Sequence, residues 1–288
     1  MSEHEAVFWE PCENGSVRCG LCPHRCSMEK GTAGVCGVRF NREGTLIALS
    51  YGLVSSIALD PVEKKPLYMF HPGKYILSVG GFGCNLKCGF CQNHEISTEG
   101  ARCEVFGRRA APEEIAEYAA ATVAQGNIGV AYTYNEPLIG YEFLCDCSAL
   151  VRSAGLKNVL VTNGYINPEP LLTLLPLIDA MNIDLKGFSD SFYRSVGGKL
   201  RPVLETIERA HEFCHVEVTT LVIPGENDND IEGIAEWISK VDTGIPLHLT
   251  RFFPRYLYGD REPTPRVTLE RLRDTAGKYL KNVFIGNI

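Results

Sequence analysis

At 288 residues, with 45% hydrophobic and 22% charged residues, the chain can bury one large α/β core or a core plus a small extra module. A formal net charge of −7 argues against a partner held by its phosphate backbone, so nucleic acid is not an expected ligand. No apolar run approaches the roughly 20 residues that cross a bilayer, and the first ten residues hold acids but no signal-peptide core; a cytoplasmic protein without membrane partners is expected. In that reducing compartment, 12 cysteines read as metal ligands or buried thiols rather than disulfides.

Residues 1–40 are rich in Cys and Gly and show little hydrophobic periodicity, so a metal or close packing must organise them. Two strand-like runs follow, Thr45–Ser50 and Leu53–Leu59, joined as a short hairpin by Tyr51-Gly52. A Pro-punctuated segment from Pro61 to Gly73 closes a Cys-rich N-terminal extension over residues 1–74. From Tyr75 the pattern changes. Strands are expected at Ile76–Gly80, Ile128–Tyr134, Asn158–Thr162, Ala180–Leu185, His215–Ile223, Leu247–Phe253 and Val283–Ile285. Amphipathic helices are expected between them, at Pro112–Ala124, Ile139–Ala154, Pro170–Leu177, Val203–Phe213, Asp230–Lys240 and Thr268–Leu280. Such alternation builds a parallel sheet, here a partial or complete TIM-like (β/α) barrel over 75–288, with an open doubly wound sheet as the alternative. Ligands sit at the carboxyl ends of the strands in either case. The polar motifs fall there.

The segment after the first of these strands runs Gly80-Gly81-Phe82-Gly83-Cys84-Asn85-Leu86-Lys87-Cys88-Gly89-Phe90-Cys91. Its C-x3-C-x2-C spacing lets three thiolates converge on one face of a cubane 4Fe–4S cluster. Three ligands leave one iron open to a small molecule. The competing reading is a zinc knuckle with His94 as fourth ligand; the strand, Gly-rich turn and aromatic before the last Cys favour the cluster.

This motif resembles that of the radical S-adenosylmethionine (SAM) enzymes. The run from Gly83-Cys84 to Cys91-Gln92-Asn93-His94-Glu95-Ile96-Ser97 is similar to the AmmeMemoRadiSam-system radical SAM proteins, relatives of the pyruvate formate-lyase-activating enzymes. So are Tyr132-Thr133-Tyr134-Asn135-Glu136-Pro137, Thr162-Asn163-Gly164-Tyr165, Asp184-Leu185-Lys186-Gly187, Ile223-Pro224-Gly225, and His248 to Pro254. The N-terminal Cys-x2-Cys-Pro-His-Arg-Cys run and the closing Ile285-Gly286-Asn287 agree as well, so the likeness spans nearly the whole chain.

The resemblance implies that a reduced 4Fe–4S cluster on Cys84, Cys88 and Cys91 cleaves SAM to methionine and a 5′-deoxyadenosyl radical. That radical would abstract hydrogen from an unidentified substrate, a small molecule or a protein, with an external electron donor. The nearest subtype is an activator of glycyl-radical enzymes. In the activators a Gly-Gly-Glu-Pro segment lines the methionine end of SAM. Here Tyr134-Asn135-Glu136-Pro137 stands in its place, so Asn135 and Glu136 are candidate contacts although both glycines are missing. The alternative is a loop that caps the next helix. Thr162, Asn163, Asp184 and Lys186 match motifs that touch SAM in the relatives, with Lys186 a partner for the methionine carboxylate. Asp184 would orient Lys186 or bind a monovalent cation, but Val161 replaces the acid that precedes Thr-Asn-Gly in the activators. His248 matches a His near the SAM adenosine or ribose, and Arg251 is a candidate for an anionic substrate group.

Cys19, Cys22, Cys26 and Cys36 form C-x2-C-x3-C-x9-C among Gly31, Gly34 and Gly37. Zinc, a second Fe–S cluster, and packed thiols without metal all fit that set. A different function class also fits the cysteines: a non-catalytic iron–sulfur or zinc scaffold that binds a partner protein and needs no SAM pocket.

Overall fold

The computed structural model describes residues 4–98 and 107–288; Cys103 lies outside them. Its centre is an eight-stranded sheet: β1 (Ser56–Pro61), β2 (Tyr75–Gly80), β3 (Asn127–Thr133), β4 (Lys157–Thr162), β5 (Ala180–Asp184), β6 (His215–Val222), β7 (Leu247–Arg251) and β8 (Val283–Gly286). The spatial order is the sequence order, β1 at one edge and β8 at the other. All neighbours from β2 to β8 are parallel, and β1 runs antiparallel to β2. A doubly wound sheet reverses its strand order at a switch point; this one never does. The architecture is a partial TIM-like barrel.

Helices fill the crossovers: α1 (Pro112–Ala121), α2 (Tyr141–Ser153), α3 (Pro168–Leu174), α4 (Leu200–His211), α5 (Ile231–Val241) and α6 (Arg266–Ala276). Their apolar spacing decides their placement. In α5, Ile231, Ile234, Ala235 and Ile238 form one buried stripe, as do Val203, Ile207 and Ala210 in α4. At the start of α1, Pro112 occupies the first turn and Glu114 accepts a hydrogen bond from Ala111 N at 2.7 Å. None of the described helices is long and apolar enough to cross a membrane.

The N-terminal region departs from expectation in two places. Thr45–Ala48 pairs with Arg39–Arg42, not with the run beginning at Leu53. Glu43 and Gly44 supply the reason, since both take positive φ (52° and 98°), as a tight primed hairpin turn requires. The Leu53–Leu59 run instead splits at Ser55: Leu53–Val54 pairs with Arg108–Arg109, and the remainder becomes β1. The expected boundary between residues 74 and 75 therefore runs through a hydrogen-bonded pair of the central sheet. Ahead of these lies a small antiparallel sheet of Trp9–Pro11, Val17–Cys19 and Ser27–Met28. It docks on the barrel through Asn167, whose amide groups bond Gly20 O at 2.6 Å and Leu21 O at 3.0 Å.

Candidate functional site

A cavity of about 700 Å³ opens at the carboxyl ends of the strands. Cys84, Cys88 and Cys91 line it together with Asn135, Glu136, Thr162, Asn163, Asp184, Lys186 and His248. Five sequence motifs, far apart in the chain, thus meet at one place.

The cysteine loop leaves β2 through glycines, two of which leave little space for a side chain. A Cβ on Gly80 would lie 2.6 Å from Ser55 Oγ, and Gly83 has φ of +81° with Cys36 O only 2.6 Å from the would-be Cβ. Asn135 pins the loop by accepting from Gly81 N at 2.9 Å and donating to Gly83 O at 3.2 Å. Further anchors are Gly83 N to Ile96 O at 2.8 Å and Lys87 N to Val196 O at 2.8 Å. Burial pushes the Cys88 thiol up to about 11 and raises Cys84 further, so both are protonated at neutral pH in the metal-free chain. Among the described residues no three His, Cys, Asp or Glu side chains come close enough to hold a single metal ion. His94, the candidate fourth zinc ligand, stacks on Tyr256 at 4.5 Å.

Glu136 is wholly buried and engaged. Its carboxylate accepts from Thr162 Oγ1 (2.7 Å), Asn163 N (2.7 Å) and Leu138 N (3.0 Å), tying the ends of β3 and β4 and capping the following turn. Burial dominates and lifts its pKa to about 7 despite these donors. Asn163 in turn donates to Asn85 Oδ1 at 2.9 Å and reaches Cys84 Sγ at 3.6 Å. The side chains of Asn135, Glu136, Thr162 and Asn163 therefore hold the loop and strand ends. Asp184 and Lys186 form an ion pair of 2.8 Å on the cavity wall. Burial disfavours the Lys186 ammonium, but the Asp184 carboxylate outweighs it and holds the group above its usual range.

His248 is 1% exposed, and its Nε2 lies 2.6 Å from Glu217 Oε2. Arg251 does not reach the cavity. Its Nε donates to Thr264 O at 2.8 Å, and its guanidinium lies over Phe253.

Three groups escaped sequence reasoning. Glu217, in mid-strand, gathers His215, His248 and the backbone N–H groups of Tyr68 and Met69. Burial would raise its carboxyl, yet these donors pull it down to about 2. Asp60 collects Lys64, Lys65, Ser78 and Tyr134, each at 2.7–2.8 Å. Tyr134 itself has φ of +74°, a strained backbone for an L-residue beside a site. The available signal was a lone Glu inside the apolar run of β6, and charges clustered at Asp60 to Lys65.

The chain matches the model of the Radical SAM superfamily over residues 78–238. It is 43% identical over 289 residues to the uncharacterized protein MJ0808 of Methanocaldococcus jannaschii, covering 99% of this chain and 85% of that protein. It is 26% identical over 262 residues to the putative glycyl-radical enzyme activating enzyme MJ1227 of the same organism, covering 84% of this chain and 97% of the relative. Among solved structures, Streptococcus suis SuiB bound to S-adenosylmethionine shares the fold, with a TM-score of 0.54 and 15% identity, covering 70% of this chain and 47% of that one.

Proposed function

The chain belongs to the radical SAM superfamily, and on that premise we propose that Cys84, Cys88 and Cys91 hold a 4Fe–4S cluster beside a SAM site in the cavity. The observation that carries this reading is the placement of three thiols on the wall of a cavity of about 700 Å³ that also bears the Asp184–Lys186 pair. That volume lies in the range of small-molecule sites. Three thiolate ligands leave one iron for SAM, and when bound the reduced cluster supplies the electron that splits SAM into methionine and a 5′-deoxyadenosyl radical.

The chain's own residues bind and orient. Lys186 offers its ammonium to the methionine carboxylate, and Asp184 fixes its direction. Asn163 donates toward Cys84 Sγ, a contact that strengthens once the thiol becomes a thiolate. Cys84 and Cys88 release protons on ligation, so cluster loading is favoured as pH rises. His248, locked by Glu217, lines the SAM end of the cavity. The cavity would also admit the substrate, small molecule or protein, from which the SAM-derived radical would take hydrogen, and an external one-electron donor would be needed to reduce the cluster. Likeness to a putative glycyl-radical enzyme activating enzyme supports an activator as the nearest subtype.

Anaerobic reconstitution, reduction and assay for 5′-deoxyadenosine test this reading. The parent should form 5′-deoxyadenosine, and the Cys84→Ala/Cys88→Ala/Cys91→Ala variant should form none while losing about four irons per chain. Unchanged iron and unchanged SAM cleavage in that variant would falsify the assignment. Iron without any SAM cleavage in the parent would mark a non-catalytic scaffold instead.

A further inference from the structure

Cys19, Cys22, Cys26 and Cys36 line a void of about 10 Å³, space for roughly one water. A tight turn that begins at Cys22 makes a contact outside that void. Pro23 takes the second position of the turn Cys22–Arg25, which suits its fixed φ, and Arg25 N closes it on Cys22 O at 3.1 Å. His24 is thereby held at the third position. Its Nε2 lies 2.7 Å from Asn85 O. A carbonyl only accepts, so that nitrogen carries the proton and donates. The same ring meets Tyr165 edge-on, with centroids 5.2 Å apart.

Asn85 follows Cys84 in the cysteine loop and is 1% exposed. Its side-chain amide donates to Tyr165 O at 2.7 Å and accepts from Asn163 Nδ2 at 2.9 Å. Asn163 is fixed in turn, accepting from Tyr165 N at 2.8 Å. Two N–H groups are then aimed at the Cys84 sulfur, Asn163 Nδ2 at 3.6 Å and Leu86 N at 3.3 Å. Asn85 sits between them, bonded to the first and adjacent in sequence to the second. The barrel satisfies its side chain, and the N-terminal turn satisfies its carbonyl.

That division of labour matters because of where the N-terminal region lies. Among the described residues, none before Glu63 lines the large cavity. The region reaches the cysteine loop from outside, through His24 on Asn85 and through the Cys36 carbonyl beside Gly83. Without the His24 donor, a buried carbonyl loses its partner, which is costly in a position closed to water. The loop then relaxes at the residue that joins Cys84 to Leu86.

We infer that His24 is a positioning residue for the radical triad: through Asn85 it holds the Cys84 sulfur and the two N–H groups directed at it. For its consequence at a cluster, the inference rests on the assignment of Cys84, Cys88 and Cys91 as iron ligands. Hydrogen bonds to the sulfurs of an iron–sulfur centre help set its potential. Donors favour the more negative, reduced state, so His24 keeps the centre easier to reduce.

Three full-length proteins test this: the parent, His24→Phe and His24→Gln. Phe keeps a ring against Tyr165 and removes the donor; Gln restores an N–H of similar reach without the ring. The first measurement is anaerobic and metal-free. Alkylation by iodoacetamide is followed at each cysteine by peptide mass spectrometry, with Cys147, buried in α2, reporting general unfolding. Cys84 in His24→Phe should react roughly two- to tenfold faster than in the parent, the opening that one lost hydrogen bond allows. His24→Gln should return to the parental rate, and Cys147 should not change. A parental Cys84 rate in His24→Phe, or equal acceleration at Cys147, overturns the proposal. So does faster reaction confined to Cys19 and Cys36, since His24 would then serve only to dock the N-terminal region. Should His24→Phe not fold, His24→Leu, which also lacks the donor, takes its place. After reconstitution, the centre in His24→Phe should reduce at a lower potential than in the parent, with His24→Gln restoring it; an unchanged potential in a loaded His24→Phe protein also overturns the inference. Failure of the radical assignment reads differently: the triad would take up no iron, while the Cys84 rates would still answer for His24.

Discussion

Glu136 stands where fold and chemistry meet, and its titration is measurable. An unfolded chain releases this proton near 4.5, whereas the buried carboxyl holds it to about 7. The native state thus binds more protons between those values, so its stability falls as pH rises from about 4.5 to 7 and is flat above. Glu136→Gln resembles the protonated acid and has nothing to release. Denaturant unfolding of parent and variant from pH 5 to 8 should show the difference moving in the variant's favour up to about pH 7. A difference independent of pH would mean that Glu136 is ionised throughout. Lys186 is tested by affinity. Lys186→Met removes a charge-assisted hydrogen bond worth about 1.5–3 kcal/mol, so SAM should bind roughly ten- to more than a hundred-fold more weakly, with iron content unchanged. If SAM binds the variant as tightly as the parent, the ammonium serves only Asp184. Both residues were legible in sequence because each stands beside a strand end in a recognisable motif. Glu217 was not, because its backbone partners lie up to 149 residues away; Asp60 and Lys65 were visible only as a local cluster of charges, with nothing to show that Tyr134, 74 residues on, completes it.

At the scale of elements, the barrel was readable and its approach was not. Seven apolar runs separated by amphipathic stretches dictate parallel strands with helical crossovers; the strand ends shifted by at most two residues and the helix ends by up to four, as where Thr268–Leu280 became Arg266–Ala276. The pairing of Thr45–Ala48 and of β1 was misread because alternation reports a strand without naming its neighbour. Close approach was equally hidden. Gly83 carries the cysteine loop against the carbonyl of Cys36, and so joins the triad to the N-terminal region. Gly83→Ala meets both positive φ and a contact of 2.6 Å, while Gly31→Ala meets positive φ (+77°) with no atom within 4 Å. Positive φ alone costs an L-residue about 1–2 kcal/mol. Thermal unfolding should therefore show the larger loss for Gly83→Ala, and only that variant should lose iron at the triad. Equal losses would mean that the Cys36 segment yields without consequence.

On the scale of the whole molecule, a buried ion pair joins the hairpin of Arg39–Arg42 and Thr45–Ala48 to the barrel. Arg39 and Glu142 are 103 positions apart, with side chains 2% and 4% exposed. Sequence alone reads an isolated Arg near residue 40 and a Glu in a helix as solvated surface, so their meeting could not be foreseen. Removing one partner of such a pair typically costs about 3–5 kcal/mol, because the other charge stays buried and uncompensated. Glu142→Gln should show a loss of that order in metal-free protein, with Val7 N also deprived of its carboxylate acceptor. Denaturant unfolding of parent and variant at neutral pH measures that difference. A loss below about 1 kcal/mol would mean that the Arg39 guanidinium finds another partner once the carboxylate is gone.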